Sequence, residues 1–135
     1  MPGLDPAHWL FRLTPAEWLA AAETELGHAR EALQRRAARP GVTHARRAAG
    51  MAWNALMADV AEPAAAEPAI ARYGRSYMEH VVALAGDDDP ALREAATLLR
   101  DTPPAPPELI TLGKPDLRVA DAAQTIAEAV RARLR

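Results

Sequence analysis

With 135 residues, a formal net charge of −2 and no cysteine, the chain is sized for one domain with a real core and not for two. The lack of cysteine excludes disulfides, thiolate metal sites and a cysteine nucleophile. The near-balanced charge excludes a surface that binds polyanions throughout, leaving room only for local basic patches.

Alanine supplies most of the apolar residues while β-branched and aromatic side chains are sparse, which favours helix over sheet. Lys114 is the only lysine among 16 basic residues; the rest are arginine, the better fork for phosphate. The chain lacks a run of ~18 or more apolar residues, and its start lacks a basic stretch followed by an apolar one. The expectation is a cytoplasmic chain with no membrane contact.

Residues 1–13 read as an N-terminal arm whose aromatic end, Trp9 to Phe11, docks on the remainder, and residues 14–135 as a helical bundle domain. Thr14-Pro15-Ala16-Glu17 is a full helix start: Thr14 caps, Pro15 suits the first turn, Glu17 stands at the capping-box position, and Leu13 and Trp18 are spaced for a hydrophobic staple. The first helix then carries Leu19, Ala22, Leu26, Ala29 and Leu33 inward to about Ala38, and Pro40-Gly41 is expected to end it. Around that turn lie Arg30, Arg35, Arg36, Arg39, Arg46 and Arg47. They form either a patch for phosphate or, the reading preferred, a solvated helical corner.

The second helix, His44 to Val60, places Ala45, Ala48, Ala49, Ala52, Leu56 and Val60 on one stripe, with Trp53 at its edge and Arg47 and Asn54 opposite. Its small side chains let neighbouring helix axes approach closely, making it the central rod. Residues 61–68 form a loop. A third helix is expected from about Ala69 to Ala85, with Ile70, Tyr73, Tyr77, Val81 and Leu84 inward and Gly86 as its stop. Asp87-Asp88-Asp89-Pro90 caps a short fourth helix carrying Leu92, Ala95, Ala96 and Leu99. Thr102 to Pro107 is a proline-stiffened connection packed down by Leu109, Ile110 and Leu112. Asp116 then caps a last helix with Ala120, Ala123, Ile126 or Ala127, Val130 and Leu134 on one face. The sum is an all-α fold, an up-and-down four-helix bundle with an additional short helix.

The run His44-Ala45, Ala48-Ala49, Ala52, Ala55-Leu56 resembles the H-A-x-x-A-A-x-x-A-x-x-A-L pattern of HEPN domains, small nucleotide-binding helical bundles. Trp18-Leu19, Ala22-Glu23 and Leu26 are similar to their opening helix, and Asp121 to Leu134 to their closing one. Many members carry an Arg, a polar residue and a following His, associated with metal-independent RNA cleavage. Arg75-Ser76-Tyr77-Met78-Glu79-His80 has that arrangement. The resemblance implies catalytic roles for Arg75 and His80 with Ser76 supporting; RNA or nucleotide contacts are expected from Arg46, Arg47 and Arg72. It also implies a homodimer, a nucleotidyltransferase as a toxin–antitoxin type partner, and neither cofactor nor metal.

Chemically, an imidazole can move the proton of a ribose 2′-hydroxyl while a guanidinium fork neutralises charge on the phosphorane. On one regular helix, however, Arg75 and His80 point about 140° apart, so only a late helix start or a second subunit would bring them together. Otherwise His80 flanks the buried face and Arg75 is solvated. The remaining histidines, His8, His28 and His44, include no i, i+4 pair for zinc. Three functions follow: a HEPN-like module binding a nucleotide, RNA or a partner protein without catalysis, which is preferred; a metal-independent ribonuclease using Arg75 and His80; and an interaction bundle that oligomerises through Trp9 and Phe11.

Overall fold

The computed structural model describes residues 8–103 and 114–134. Six α-helices and two short 3₁₀ turns occur among them, and the all-α class stands. The helices are α1 (Pro15–Gln34), α2 (Ala38–Ala58), α3 (Glu67–Tyr73), α4 (Tyr77–Leu84), α5 (Pro90–Asp101) and α6 (Arg118–Arg133); the 3₁₀ turns are Trp9–Arg12 and Pro63–Ala66. Among the described residues no helix is long and apolar enough to cross a membrane. The expected packing of Leu109, Ile110 and Leu112 lies outside the described residues.

The start of α1 is as the sequence dictates. Glu17 N–H donates to Thr14 Oγ1 at 3.1 Å and Thr14 N–H donates to Glu17 Oε1 at 2.9 Å, with Pro15 at the first helical position. The preceding arm is part of the core at its end: Leu10 is fully buried, and the Trp18 indole N–H donates to its carbonyl at 2.8 Å.

The end of α1 departs from expectation. It stops at Gln34 rather than near Ala38, through a left-handed residue, Arg36, at φ 61°. Arg36 N–H reaches Leu33 O at 3.0 Å and Ala37 N–H reaches Ala32 O at 2.8 Å, the bond pair of a Schellman motif. Pro40 and Gly41 therefore lie inside α2. Proline is accommodated because the first-turn N–H groups have no intrahelical acceptor, and Gly41 because a methyl group there would sit 2.5 Å from Leu33 Cδ2.

Helix α2 is the hub, packing against α1, with which it is antiparallel, and against α6, α4 and, more lightly, α5. Twelve of its 21 residues are buried, more than one stripe can supply. Asn54, placed on the polar side by periodicity, is inside because α4 covers that side as well.

The single helix expected over 69–85 is two. Gly74 takes φ 81°, and Ser76 starts α4 with a second capping box, Glu79 N–H donating to Ser76 Oγ at 3.1 Å and Ser76 N–H to Glu79 Oε2 at 2.9 Å. Helix α5 begins on the expected cap, Ala91 N–H donating to Asp89 Oδ1 at 2.9 Å. Helix α6 has Leu117 rather than Asp116 at its cap position, although the Asp116 carboxylate still accepts from Arg118 N–H at 3.0 Å.

Candidate functional site: a groove over the α2–α4 seam

Two contacts one turn apart make the seam between α2 and α4. Gly50 admits Tyr77, the first residue of α4, against the α2 backbone: a methyl group on Gly50 would fall 2.4 Å from Tyr77 Cβ and 2.7 Å from its Cα. One turn on, Asn54 meets His80, with His80 Nε2 and Asn54 Oδ1 2.7 Å apart. Both residues are buried, at 1% and 0% exposure.

The chemistry of this pair is constrained by its third member, Tyr73 O, which lies 2.7 Å from His80 Nδ1. A carbonyl only accepts, so Nδ1 carries a proton. Burial holds His80 below its ordinary value of 6.5, with the Tyr73 hydrogen bond and the Glu79 charge opposing. The neutral ring then accepts at Nε2, and the Asn54 group that serves it is the amide N–H. Whichever way the amide is turned, one of its two polar atoms meets His80. The other, the position of Nδ2, is buried without a protein partner among the described residues.

Asn54 also belongs to the wall of a groove of about 570 Å³, lined by Trp9, Arg12, Leu13, Trp18, Asn54, Arg75, Ser76 and Tyr77. The 3₁₀ turn at Trp9–Arg12 forms one bank and the Gly74–Tyr77 corner the other. Trp9 and Tyr77 are half-buried, so ring surface is offered at fixed positions. Arg12 and Arg75 are exposed, and neither guanidinium is paired among the described residues. Ser76 Oγ accepts the α4 cap bond, and its hydroxyl serves the Glu79 carboxylate, holding it below its ordinary value. Burial raises the Tyr77 phenol above its ordinary value; Arg47 lowers it and Glu25 raises it in turn.

The residues singled out from sequence are thus divided. Arg75 and Ser76 share the groove, whereas His80 lies behind Asn54 with both ring nitrogens engaged. The late start of α4 does not join the guanidinium and the imidazole: one faces solvent and the other is enclosed. The three arginines expected to contact RNA serve separate structural partners. Arg46 donates to the carbonyls of Leu99, Arg100 and Thr102 at 2.8, 3.2 and 2.8 Å, closing the end of α5. Arg47 pairs with Glu25 at 3.0 Å, and Arg72 pairs with Asp87 at 3.8 Å while lying over the Tyr73 ring. Elsewhere in the basic corner, Arg30 reaches Asp121 at 3.1 Å and Arg35 reaches Glu31 at 4.0 Å.

Sequence reasoning missed Arg12, Asn54 and the ring of Tyr77 as groove residues, since nothing local marks them; only the docking of the arm and of α4 on α2 brings them together. It also missed a cluster next along α2, where His44 meets Glu25 and His28 of α1. No family model matches this chain, and neither a curated protein nor a solved structure does. Of the HEPN resemblance, the coarser statement stands: this is a small all-helical protein.

Proposed function

We propose that the chain is a binding module, HEPN-like in its helix pattern, whose groove takes a nucleotide, free or as a residue of RNA. The observation that carries this is the meeting, in one groove, of two unpaired guanidinium groups with two half-buried rings and with Asn54, whose second amide atom is buried without a partner. Arg12 and Arg75 suit a phosphate. Trp9 and Tyr77 suit a base, since every base has a face to stack and such stacking contributes about 1–3 kcal/mol. The second amide atom of Asn54 suits a base or ribose edge. Satisfying a buried polar atom rewards the ligand that reaches it and penalises one that cannot.

Catalysis is not part of this reading. Proton transfer requires the base to come within hydrogen-bond reach of the reacting proton, and His80 spends both nitrogens inside the protein. A homodimer and a nucleotidyltransferase partner are retained within the proposal, to be tested by mass in solution, alone and mixed with such an enzyme.

Calorimetric titration with AMP, ADP and a short single-stranded RNA tests the reading. Binding is expected, weakened about 10-fold or more by Arg75→Ala and by Arg12→Ala, each worth a charge-assisted contact. Absence of binding to all three overturns it. Incubation of the protein with RNA in EDTA separates the alternative: cleavage lost in His80→Ala would favour the ribonuclease.

A further inference from the structure

Outside the groove, the polar seam of α2 continues to His44 and Arg47, which face α1. There Glu25, His28 and His44 bring a carboxylate oxygen and two imidazole nitrogens within 4.8 Å of one another. Glu25 Oε2 lies 2.5 Å from His44 Nδ1 and 3.8 Å from His28 Nδ1. We propose that these three side chains form a site for one divalent transition-metal ion of the zinc type. The inference is independent of the nucleotide reading.

The donor set carries it. Two imidazoles and one carboxylate are a three-ligand set for zinc, with a fourth position left for water. Imidazole selects zinc, copper, nickel and cobalt over magnesium and calcium. Glu25 and His28 stand one turn apart on α1, so their side chains share a face, and α2 brings the third ligand from across the helix interface.

The carboxylate is also positioned for the task. Its side chain is only 12% exposed, and its oxygens are divided: Oε1 is ion-paired with Arg47 Nε at 3.0 Å while Oε2 faces the imidazoles. An outer partner of this kind orients a ligand and holds it ready. Ligand bonds of about 2.0–2.2 Å in a tetrahedral shell put neighbouring donors roughly 3.3–3.5 Å apart. The two observed separations bracket that range. His44 has to draw back by less than about 1 Å, and His28, 54% exposed, is free to swing in. The positive charge of Arg47 opposes the ion, and the negative charge of Glu25 offsets it.

The experiment uses the full chain without an affinity tag. Zn²⁺ is titrated by calorimetry and Co²⁺ by visible absorption, with helicity followed by circular dichroism. One ion per chain is expected, with the intense visible bands of four-coordinate cobalt. Loss of a ligand should cost no less than the ~10-fold typical of losing an outer-shell partner, so His28→Ala and His44→Ala should each weaken binding by at least that factor. Because His28 is largely in solvent, His28→Ala decides the matter even if His44→Ala does not fold. Absence of one-to-one binding by wild type, or affinity unchanged in His28→Ala, overturns the site and leaves Glu25 and His44 as an interhelical hydrogen bond.

Discussion

Asn54 of α2 and His80 of α4 hold each other 2.7 Å apart with no more than 1% of either residue exposed. The bond ties the two helices beside the groove, whose wall includes Asn54 and not His80. Asn54→Leu removes the partner of His80 Nε2 while filling similar volume. A buried acceptor left without a donor costs about 1–3 kcal/mol, so urea unfolding should show a loss of that order. Nucleotide affinity should fall as well, whereas the Zn²⁺ affinity proposed for Glu25, His28 and His44 should not change.

Stability should also fall in acid through the same residue. Burial lowers the His80 pKa in the folded protein relative to 6.5, so between the folded and unfolded values the unfolded chain binds more protons. Stability then rises with pH across that window. The contribution is complete above about 6.5, the ordinary histidine value, and is lost as pH falls towards the folded pKa. NMR titration should show the His80 ring changing below 6.5, and Asn54→Asp, which places a carboxylate beside it, should move that change upward. A His80 resonance titrating at or above 6.5 in wild type would contradict the burial argument.

How much of this was legible in advance follows from how local each feature is. The Thr14–Glu17 cap, the inward faces of α1, α5 and α6, and the Asp89 cap are written within a few residues, and they form as read. The break in the third helix was also written locally, in Gly74 and the Ser76-x-x-Glu79 box. It was obscured because Ile70, Tyr73, Tyr77, Val81 and Leu84 keep helical spacing across it. Pro40 misled in the other direction, since a proline that ends one helix and a proline in the first turn of the next look alike. The groove was half legible: Arg75 and Ser76 lie in it, but Arg12 and Asn54 are 63 and 21 positions from Arg75 in the chain. Periodicity puts Asn54 on a polar side, and only the packing of α4 on α2 turns that side inward.

Gly50 and Gly27 should respond oppositely to alanine, although both are helical. At Gly50 a methyl group collides with Tyr77, including its backbone at 2.7 Å. The seam must open, at a cost of about 1–3 kcal/mol typical of overpacking, and the groove should lose affinity with it. At Gly27 nothing lies within 4 Å of the new methyl, so Gly27→Ala should stabilise by about 0.5–1 kcal/mol through backbone entropy alone. Paired thermal melts measure both signs, and destabilisation by Gly27→Ala would show α1 to be more crowded there than its geometry allows.

Arg46 offers a test of whether the basic corner is a binding surface or a set of structural ties. Its three bonds close the carbonyl end of α5, where the last four C=O groups of a helix otherwise lack partners. Arg46→Ala should cost about 1–2 kcal/mol and raise hydrogen exchange near Thr102, with nucleotide affinity unchanged. A variant that kept its stability but lost nucleotide binding would move the binding surface from the groove to this corner.

Arg36 is the one non-glycine residue with positive φ among the described residues, and it sits where the Schellman motif joining α1 to α2 demands a left-handed conformation. For an L-residue that conformation costs roughly 1–2 kcal/mol, and glycine adopts it freely at the price of greater freedom when unfolded. The backbone difference by itself favours Arg36→Gly by about 0.5–1 kcal/mol, set against the loss of the side-chain interaction that Arg36 makes. The gain should appear in urea midpoints without a change in slope, since the surface exposed on unfolding is the same. Arg36→Val tests the cause, because branching at Cβ makes positive φ costlier still. It should unfold at lower urea than wild type, and a Val variant as stable as the Gly one would show that backbone strain at this corner is not what limits it.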